Sequence, residues 1–431
     1  MPTKPELVHP ADQLVAMMTR IYRNDLTTTS GGNLSIRDEN EDIWITPTSI
    51  DKGRLTRSDI CQVKPDGTVI GQHRPSVELP FHQAIYRARP DLHAIVHAHP
   101  SALVAFAISG VTPNTRLVAD AWRVCGQVAM AQYALPGSQQ LVGNVVAQFT
   151  SGFDIVLLEN HGVVVGASNL ENAYLKCETC ESTARIEILA RRLAKPVSAS
   201  DEDLELSLTP EQSTMEEFSS GQRCAEETEA RRNLLAFVRR AYQKGLFSSG
   251  QGAYSVRLSD DSFLITPCGT SPESIDEDDL VLVRNGQTER GKTPSDRVFL
   301  HKAVYDQHLG VRSAVCANPP HAMAFAVTDE PFDPRTIPES YIILRNIDKI
   351  PFAGFHPVRA DVVAQISGNR PAVVCQNDTI LVTGTSLVNA FDRLEVMEAT
   401  AHSIIDARAI GAVAHISGRQ ILDIENAYPL A

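Results

Sequence analysis

The sequence predicts two homologous domains, each of the α/β or α+β class with a sheet flanked by helices. The chain has 431 residues, enough for two or three domains, and its second half repeats the motif order of its first. Within each half, short β-branched runs alternate with stretches of helical periodicity. This pattern is typical of a sheet with helices packed against it, although strand order does not follow from it.

The repeat consists of short motifs that recur 217 to 220 residues later in the same order. Chance matches would not keep so constant an offset, so we interpret the chain as a tandem duplication. The matched segments are Ser35–Arg37 with Ser255–Arg257, Ile45–Thr48 with Ile265–Cys268, Pro75–Ser76 with Pro294–Ser295, Phe81–Tyr86 with Leu300–Tyr305, Ala94–Pro100 with Ala314–Pro319, and Leu170–Tyr174 with Leu387–Phe391.

A linker is predicted over residues 196–229, which are rich in Ser, Asp, Glu, Thr and Pro and show little helical or strand period. The predicted domains are therefore residues 1–195 and 230–431, each of ordinary domain size.

Individual elements of the first domain follow from its local patterns. The predicted strands are Trp44–Thr46, Ala94–His97 and Asp154–Leu158. A helix is predicted over Leu79–Arg89, capped by Ser76 and ended before Pro90, and a second helix over Leu170–Leu193.

Composition and charge exclude several classes of function. The net charge of −13 argues against a broad nucleic-acid surface, although it permits a small anionic substrate in a locally positive pocket. No apolar run approaches the ~20 residues that span a bilayer. Residues 1–13 lack the apolar segment of a signal peptide, and the eight scattered cysteines predict a reducing, cytoplasmic location.

Three histidines are candidate metal ligands. His97 and His99 are two residues apart at the end of a predicted strand, so their imidazoles share one face, and such a pair suits a borderline ion such as zinc. His161 follows another predicted strand at a turn. From these residues alone, a structural histidine pair is the default interpretation, and a metal site is the alternative.

Five motifs, in order and at similar spacing, resemble the class II aldolase/adducin family. The motifs are Ser30–Arg37, Ile45–Thr48, Pro75–Glu78, Val96–His99 and Asn160–Gly162. The resemblance implies a three-layer α/β/α domain with a mostly antiparallel central sheet. It also implies that His97, His99 and His161 hold a divalent metal ion. Zinc is the favoured ion, and manganese, cobalt and magnesium stay open.

Glu78 receives two roles from the resemblance: a ligand of the resting metal, and the catalytic acid/base once the substrate displaces it. The ion would act as a Lewis acid that holds the enediolate formed when a carbon–carbon bond breaks. From its position alone, Glu78 is also a first-turn helix residue that complements the helix dipole.

Substrate contacts are implied at Gly32, Asn33, Thr48, Ser49 and Ser76, where the family binds a phosphate. Ser49 stands where the aldolases have Gly, and Val77 stands where they have a second Ser. A phosphorylated substrate is therefore favoured only slightly over an unphosphorylated one, and the Gly-Asn loop has a simple turn as its alternative interpretation.

The second half lacks the metal-site residues. At the positions of Glu78, His97, His99 and His161 it carries Arg297, Cys316, Asn318 and Asp378. A permanent cation and a neutral amide cannot replace a carboxylate and an imidazole around a divalent ion. This half is therefore predicted to keep the fold without the site.

Three other sets of residues receive structural or uncertain interpretations. His82 recurs as His301 and is interpreted as structural, and Cys177 and Cys180 as packing residues of a long helix. Asp120 lies only loosely where epimerase-type members of the family carry a catalytic Asp.

The predicted function is a metal-dependent aldolase of carbohydrate metabolism that cleaves a small sugar phosphate or hydroxy-keto compound. Two alternatives stay open: the same metal site used for epimerase, decarboxylase or dehydratase chemistry, and a non-catalytic adducin-like binding module. The expected partner is a second copy, so that two chains form a pseudo-tetrameric ring of four domains. No nucleic acid or membrane partner is expected.

Overall fold

The computed structural model describes residues 8–208 and 215–429. The chain forms two compact units, one made of residues up to 115 with 124–185, and the other of residues 116–123 with 186 onward. These units do not divide at the end of the sequence repeat, because a short segment of the first repeat belongs to the second unit. Among the described residues, no helix is long and apolar enough to cross a membrane.

The first unit contains an eight-stranded, mostly antiparallel sheet in the order β4-β3-β2-β1-β5-β8-β7-β6. Its strands are β1 (Asn33–Arg37), β2 (Ile43–Ile45), β3 (Cys61–Val63), β4 (Val69–Ile70), β5 (Ala94–Ala98), β6 (Val128–Ala131), β7 (Ile155–Leu158) and β8 (Gly162–Ala167). Only β6 and β7 pair in parallel. The central strand β5 is buried along its whole length.

In the described part of the chain, six helices belong to the first repeat, and residues 119–123 of one of them lie in the second unit. They are α1 (Pro10–Arg23), α2 (Leu79–Ala88), α3 (Ser101–Ile108), α4 (Ala119–Cys125), α5 (Gln139–Thr150) and α6 (Leu170–Leu193). Ile95 of β5 packs with Phe81 of α2 and Phe149 of α5 in one apolar cluster. Since side chains alternate along a strand, the neighbouring Val96 faces the opposite side of the sheet.

The second unit contains a nine-stranded sheet in the order β15-β16-β17-β14-β10-β11-β12-β13-β9. Its strands are β9 (Glu217–Phe218), β10 (Ala253–Arg257), β11 (Phe263–Ile265), β12 (Val281–Arg284), β13 (Gln287–Glu289), β14 (Ser313–Ala317), β15 (Ile347–Ile350), β16 (Ala372–Cys375) and β17 (Ile380–Gly384). Its further helices are α7 (Asp201–Leu208), α8 (Ala225–Gln243), α9 (Val298–Gln307), α10 (Pro320–Ala326), α11 (Pro338–Leu344), α12 (Ala360–Val363), α13 (Leu387–Ile410) and α14 (Gly418–Ala427).

Two apolar layers enclose the second sheet. Val315 of β14 joins a core with Phe391 of α13, whereas its neighbour Cys316 joins another with Val304 of α9. The alternation of side chains along one strand therefore serves a helical layer on each face. This arrangement confirms the predicted α/β/α class with mostly antiparallel sheets and two homologous halves.

Two local predictions need correction. The N-cap of α2 is Glu78 and not Ser76, whose hydroxyl accepts a hydrogen bond from the Glu78 amide instead. The segment predicted as a linker contains helix α7 and the first turn of α8. The polar residues of this segment include the cap of α7, since the Ser200 hydroxyl accepts a hydrogen bond from the Asp203 amide. The apolar side chain of Leu204 on the same helix is buried.

Candidate metal centre

Four side chains from three parts of the first repeat converge at one end of β5. His97 lies on β5 opposite Asn33 of β1 and Val164 of β8, and His99 follows the strand. The turn between β7 and β8 supplies His161, and the residue before α2 supplies Glu78. The antiparallel register thus joins positions that lie far apart in sequence.

The ligand atoms of the three histidines lie within 4.8 Å of one another. The Nε2 atoms of His97 and His99 are 3.1 Å apart, and His97 Nε2 is also 3.1 Å from Glu78 Oε2. His161 Nε2 lies 3.8 Å from Glu78 Oε1. The four groups predicted from the sequence as metal ligands therefore surround one point.

The tautomer of His97 is set by its backbone contact. Its Nδ1 lies 2.9 Å from the Val163 carbonyl oxygen, which can only accept, so Nδ1 carries a proton and Nε2 of the neutral ring holds the lone pair. That lone pair faces His99 Nε2 and the Glu78 carboxylate at 3.1 Å. Three electron-rich atoms so close together repel unless a proton or a cation lies between them.

Burial and neighbouring charges both shift the pKa values of Glu78, His97 and His99, and in Glu78 and His97 the two effects oppose each other. Burial lowers the pKa of His99 to about 3, and the neighbouring imidazoles add to this effect, so its ring is neutral and able to coordinate at pH 7. Burial opposes ionisation of Glu78, but contacts with His97 and Asn33 lower its pKa below the usual range. Burial also disfavours charge on His97, yet the facing Glu78 raises its pKa.

A chain of hydrogen bonds orients Glu78. The Asn33 amide donates to Glu78 Oε2 over 2.7 Å, and Asn33 Oδ1 lies 2.5 Å from His82 Nε2. His82 is fully buried, which lowers its pKa to about 3, and its Nδ1 meets the Ser35 hydroxyl at 2.7 Å. His82 Nε2 therefore carries the proton, and the neutral ring holds Asn33 in the orientation that Glu78 requires.

His82 thus positions Asn33, a role that its interpretation as structural missed. In the second repeat, the counterpart of Asn33 at the start of β10 is Ala253, and the buried Nε2 of His301 has no hydrogen-bond partner among the described residues. Among the described residues, the hydrogen-bond chain from this histidine through Asn33 to a carboxylate is present in the first repeat and absent from the second. The exchange of Asn33 for Ala253 is the sequence signal that could have indicated this difference.

Two glycines make room for the His99 ring. A Cβ at Gly31 would lie 2.7 Å from His99 Nδ1, and a Cβ at Gly162 would lie 2.5 Å from His99 Cδ2. The turn before Gly162 is tight, with Asn160 at φ 58°. The donor set and this close fit around His99 both suit a divalent metal ion. A buried Glu78 Oε1 without a hydrogen-bond partner in the described part of the chain adds a free ligand atom.

The candidate substrate-binding residues occupy three loops: Gly32 precedes β1, Thr48 and Ser49 follow β2, and Ser76 precedes α2. Gly32, at φ 68°, approaches the His97 carbonyl too closely to tolerate a Cβ, which would lie 2.6 Å from it. Ser76 is buried, and its loop is tied to the neighbouring loop because Thr48 N donates to Arg74 O. Ser49 has φ 58°, a conformation that favours the glycine expected from the resemblance.

The second repeat has an ion pair where the first has its candidate ligands. Arg297 Nη1 and Nη2 donate to both oxygens of Asp378, at 2.9 and 2.5 Å, and all of these atoms are buried. Asn377 has φ 57°, like Asn160, which supports the match of Asp378 with His161. The Asn318 amide donates to the Asp378 carbonyl, and Thr379 replaces Gly162 and bonds Asn318.

Asp120 also belongs to this second-repeat cluster. Its Oδ2 lies 3.2 Å from Arg297 Nη2 in the second unit. Asp120, which loosely matches a catalytic aspartate of the family, is therefore not one of the residues around the three imidazoles. A cavity of about 670 Å³ adjoins the cluster and is lined partly by Asp120, Arg297, His356 and Phe352.

The family model for the class II aldolase and adducin N-terminal domain matches residues 12–188 and 232–405. An L-fuculose phosphate aldolase of Methanococcus maripaludis is 33% identical over 182 residues, covering 42% of this chain and 97% of the relative. A 3-oxo-tetronate 4-phosphate decarboxylase of Haemophilus influenzae is 32% identical over 178 residues, covering 40% and 84%.

A solved L-fuculose 1-phosphate aldolase has 34% identity, covers 46% of this chain and 93% of its own, and has a TM-score of 0.42. The two segments matched by the family model together span most of the chain and coincide with its two repeats. The chain therefore belongs to the class II aldolase and adducin family.

Proposed function

We propose that the first repeat is a divalent-metal-dependent aldolase that cleaves a small sugar phosphate or hydroxy-keto compound. The observation that carries the proposal is that three imidazoles, which can coordinate a metal ion when neutral, converge with Glu78 on one point. His97, His99, His161 and Glu78 would hold the ion, with zinc the favoured metal. A bound ion would supply Lewis-acid polarisation of a substrate oxygen.

The residues of the chain have separate tasks in this proposal. Asn33 holds one oxygen of Glu78, which leaves Oε1 without a hydrogen-bond partner among the described residues. Oε1 would accept the proton of the substrate hydroxyl as the carbon–carbon bond breaks and that fragment becomes an aldehyde. It would then return a proton to the enediolate carbon of the other fragment. Gly32, Thr48, Ser49 and Ser76 would bind the phosphate or the equivalent polar end of the substrate.

The duplication supplies a matched pair of variants for the test. His99→Ala removes a proposed ligand, and Asn318→Ala makes the same change at the corresponding position of the second repeat. We expect bound zinc and aldehyde release from ketose phosphates or hydroxy-keto acids in the wild type and in Asn318→Ala, and neither in His99→Ala. Equal zinc content in both variants would contradict the ligand assignment.

A second candidate is a decarboxylase that uses the same residues. It is favoured by the 32% identical relative whose name includes decarboxylase activity on a 3-oxo-tetronate 4-phosphate. Release of carbon dioxide rather than aldehyde in the same substrate screen separates the two reactions. An adducin-like binding module would show no bound metal after purification with zinc in excess.

The proposed assembly is a homodimer in which two chains form a pseudo-tetrameric ring of four domains, and the proposed location is the cytoplasm. Closed symmetry would explain why a repeat that lacks the ligands keeps the packing surfaces of the family fold. Sedimentation that gives the mass of one chain at micromolar concentration would contradict this assembly.

A further inference from the structure

The second unit contains a cavity of about 670 Å³ beside the Arg297 cluster. All the described residues that line this cavity belong to the second unit, whereas the three imidazoles of the first repeat belong to the other unit. The volume is that of an ordinary small-molecule site. The cavity is therefore a second candidate ligand site, and it does not depend on the proposed metal centre.

Apolar side chains form most of the cavity wall. They include Leu206 and Leu208 of α7 and the rings of Phe352 and Phe355. Leu208 is 58% exposed, and the Phe352 ring stacks on the ring of His356 with centroids 4.4 Å apart. Covering such apolar surface is favourable by ~25 cal/mol for each Å² that is removed from water. The wall therefore favours a ligand with an apolar or aromatic body.

The floor of the cavity consists of Arg297, Asp120 and Asp378. The Arg297 guanidinium contacts both carboxylates, with Asp378 Oδ1 at 2.5 Å and Asp120 Oδ2 at 3.2 Å. These side chains are at most 13% exposed. One guanidinium between two carboxylates leaves an excess negative charge in a region where an unpaired charge is costly.

Arg123 does not cancel the excess charge of the floor, because two carboxylates share it. Its Nη2 lies 2.7 Å from Asp120 Oδ1 and 3.1 Å from Asp296 Oδ2. The other titratable group in the described lining is His356, whose Nε2 lies 3.0 Å from Asp378 Oδ2. With a neutral His356, the lining carries one more negative charge than positive charges.

The hydrogen bonds of the floor favour a ligand that donates over one that accepts. Both terminal nitrogens of Arg297 already donate to Asp378, so an anion would compete with a buried carboxylate. Each Asp120 oxygen accepts from one guanidinium and keeps a lone pair for a further donor. An ammonium group has three donors and no acceptor, and aromatic rings such as that of Phe352 attract its charge. Charge and hydrogen bonding therefore both select a cationic group.

We propose that the cavity of the second repeat binds a small organic cation, an amine with an apolar or aromatic body. Its ammonium group donates to Asp120, and its body lies against Phe352, Phe355 and Leu208. The loss of the metal ligands from this repeat then changed the kind of ligand that the repeat binds. This role is separate from the aldolase chemistry proposed for the first repeat.

Titration calorimetry on the full chain tests the site with three probes that share one aromatic body. The probes are phenethylamine, phenethyl alcohol and phenylacetate. The amine should bind about tenfold or more tightly than the alcohol, because it adds a charge-assisted hydrogen bond to Asp120, and phenylacetate should not bind measurably. Equal affinity for the amine and the alcohol, tighter binding of phenylacetate, or no binding of the amine would overturn the inference.

Asp120→Asn tests the ion pair between ligand and floor. The variant keeps the shape of the side chain and removes its charge, so the affinity for phenethylamine should fall by about tenfold or more while that for phenethyl alcohol stays unchanged. Asp406→Asn removes an exposed carboxylate on α13 and should alter neither affinity. Wild-type affinity for the amine in Asp120→Asn would overturn the assignment of Asp120.

Ser207→Phe tests the location of the site, because it places a ring in the cavity. It should abolish binding of both the amine and the alcohol, whereas Ser403→Phe on the exposed face of α13 should not. His99→Ala, which removes a proposed zinc ligand, should bind the amine as the wild type does. Wild-type binding in a folded Ser207→Phe, or loss of binding in His99→Ala, would overturn the inference, and neither result would bear on the proposed aldolase.

Discussion

Replacing Gly162 by alanine should displace the His99 ring and weaken metal binding. The added Cβ would lie 2.5 Å from His99 Cδ2 and 2.6 Å from the Ala98 carbonyl oxygen, closer than real Cβ atoms approach. The Ala98 oxygen belongs to the backbone at the end of β5, which is fixed by its pairing with β8, so the ring must move. A shift of about 1 Å in a ligand is large for a site that depends on fixed geometry.

The expected loss of zinc affinity can be estimated because Gly162→Ala displaces one ligand, His99, but removes none of the four. Such changes typically weaken metal affinity by about 10- to 100-fold, or ~1.4 to 2.7 kcal/mol. Competition titration with a chromophoric zinc chelator measures this change directly. The same titration at several pH values shows whether protons compete equally with zinc in the variant and in the wild type.

Gly143→Ala is the matched control for this variant. Gly143 lies within helix α5, and an added Cβ would meet nothing within 4 Å. Since alanine favours a helix interior over glycine by about 1 kcal/mol, this variant should be slightly more stable and bind zinc normally. If Gly162→Ala were folded and bound zinc as tightly as Gly143→Ala, the assignment of His99 as a closely held ligand would be wrong.

The Arg297 ion pair, the His82 hydrogen bond and the metal ligands should each respond measurably to a single change. Arg297→Met leaves the buried Asp378 without its guanidinium and removes one of the two that contact Asp120, so it should destabilise the chain by ~3 to 5 kcal/mol in chemical denaturation. Arg359→Met, which removes an exposed ion pair, should leave the midpoint unchanged. His82→Ala frees Asn33 to rotate and should weaken zinc binding about tenfold by titration, and the corresponding His301→Ala should not change it. Zinc at a thousandfold excess over its dissociation constant should stabilise the folded chain by ~4 kcal/mol over the chelator-treated chain, so an unchanged thermal midpoint would argue against a tight site.

The four candidate ligands could be named from the sequence because each lies in a short motif that resembles the class II aldolase/adducin family, whereas local patterns alone favoured a structural histidine pair. The strand alternation that places His97 and the turn that precedes Gly162 are both readable from residue order. The support of Glu78 could not be read in this way. Asn33 and His82 are 49 residues apart, and their contact depends on the register of β1 with the sheet and on the face of α2 that turns inward.

Tertiary packing also decided where α4 belongs. Its residues are part of the first repeat by sequence, yet Asp120 and Arg123 pair with Arg297 and Asp296 in the second unit. Nothing in the local sequence of α4 distinguishes a helix that covers its own sheet from one that covers its neighbour's site. Only the opposite charges at these four positions carry the information, and their pairing is visible once the contacts are known.

The two repeats show why a lost metal site is difficult to restore one residue at a time. In the second repeat, the charges and hydrogen bonds of the corresponding residues satisfy one another. These residues are Arg297, Asp378, Asn318 and Thr379, in place of Glu78, His161, His99 and Gly162. The guanidinium supplies the positive charge between two carboxylates, and Thr379 bonds the amide of Asn318 in the space that a glycine leaves open for an imidazole. A glutamate at position 297 would set like charges against Asp378, and a histidine at position 318 would clash with the side chain of Thr379, because each set is satisfied only as a whole.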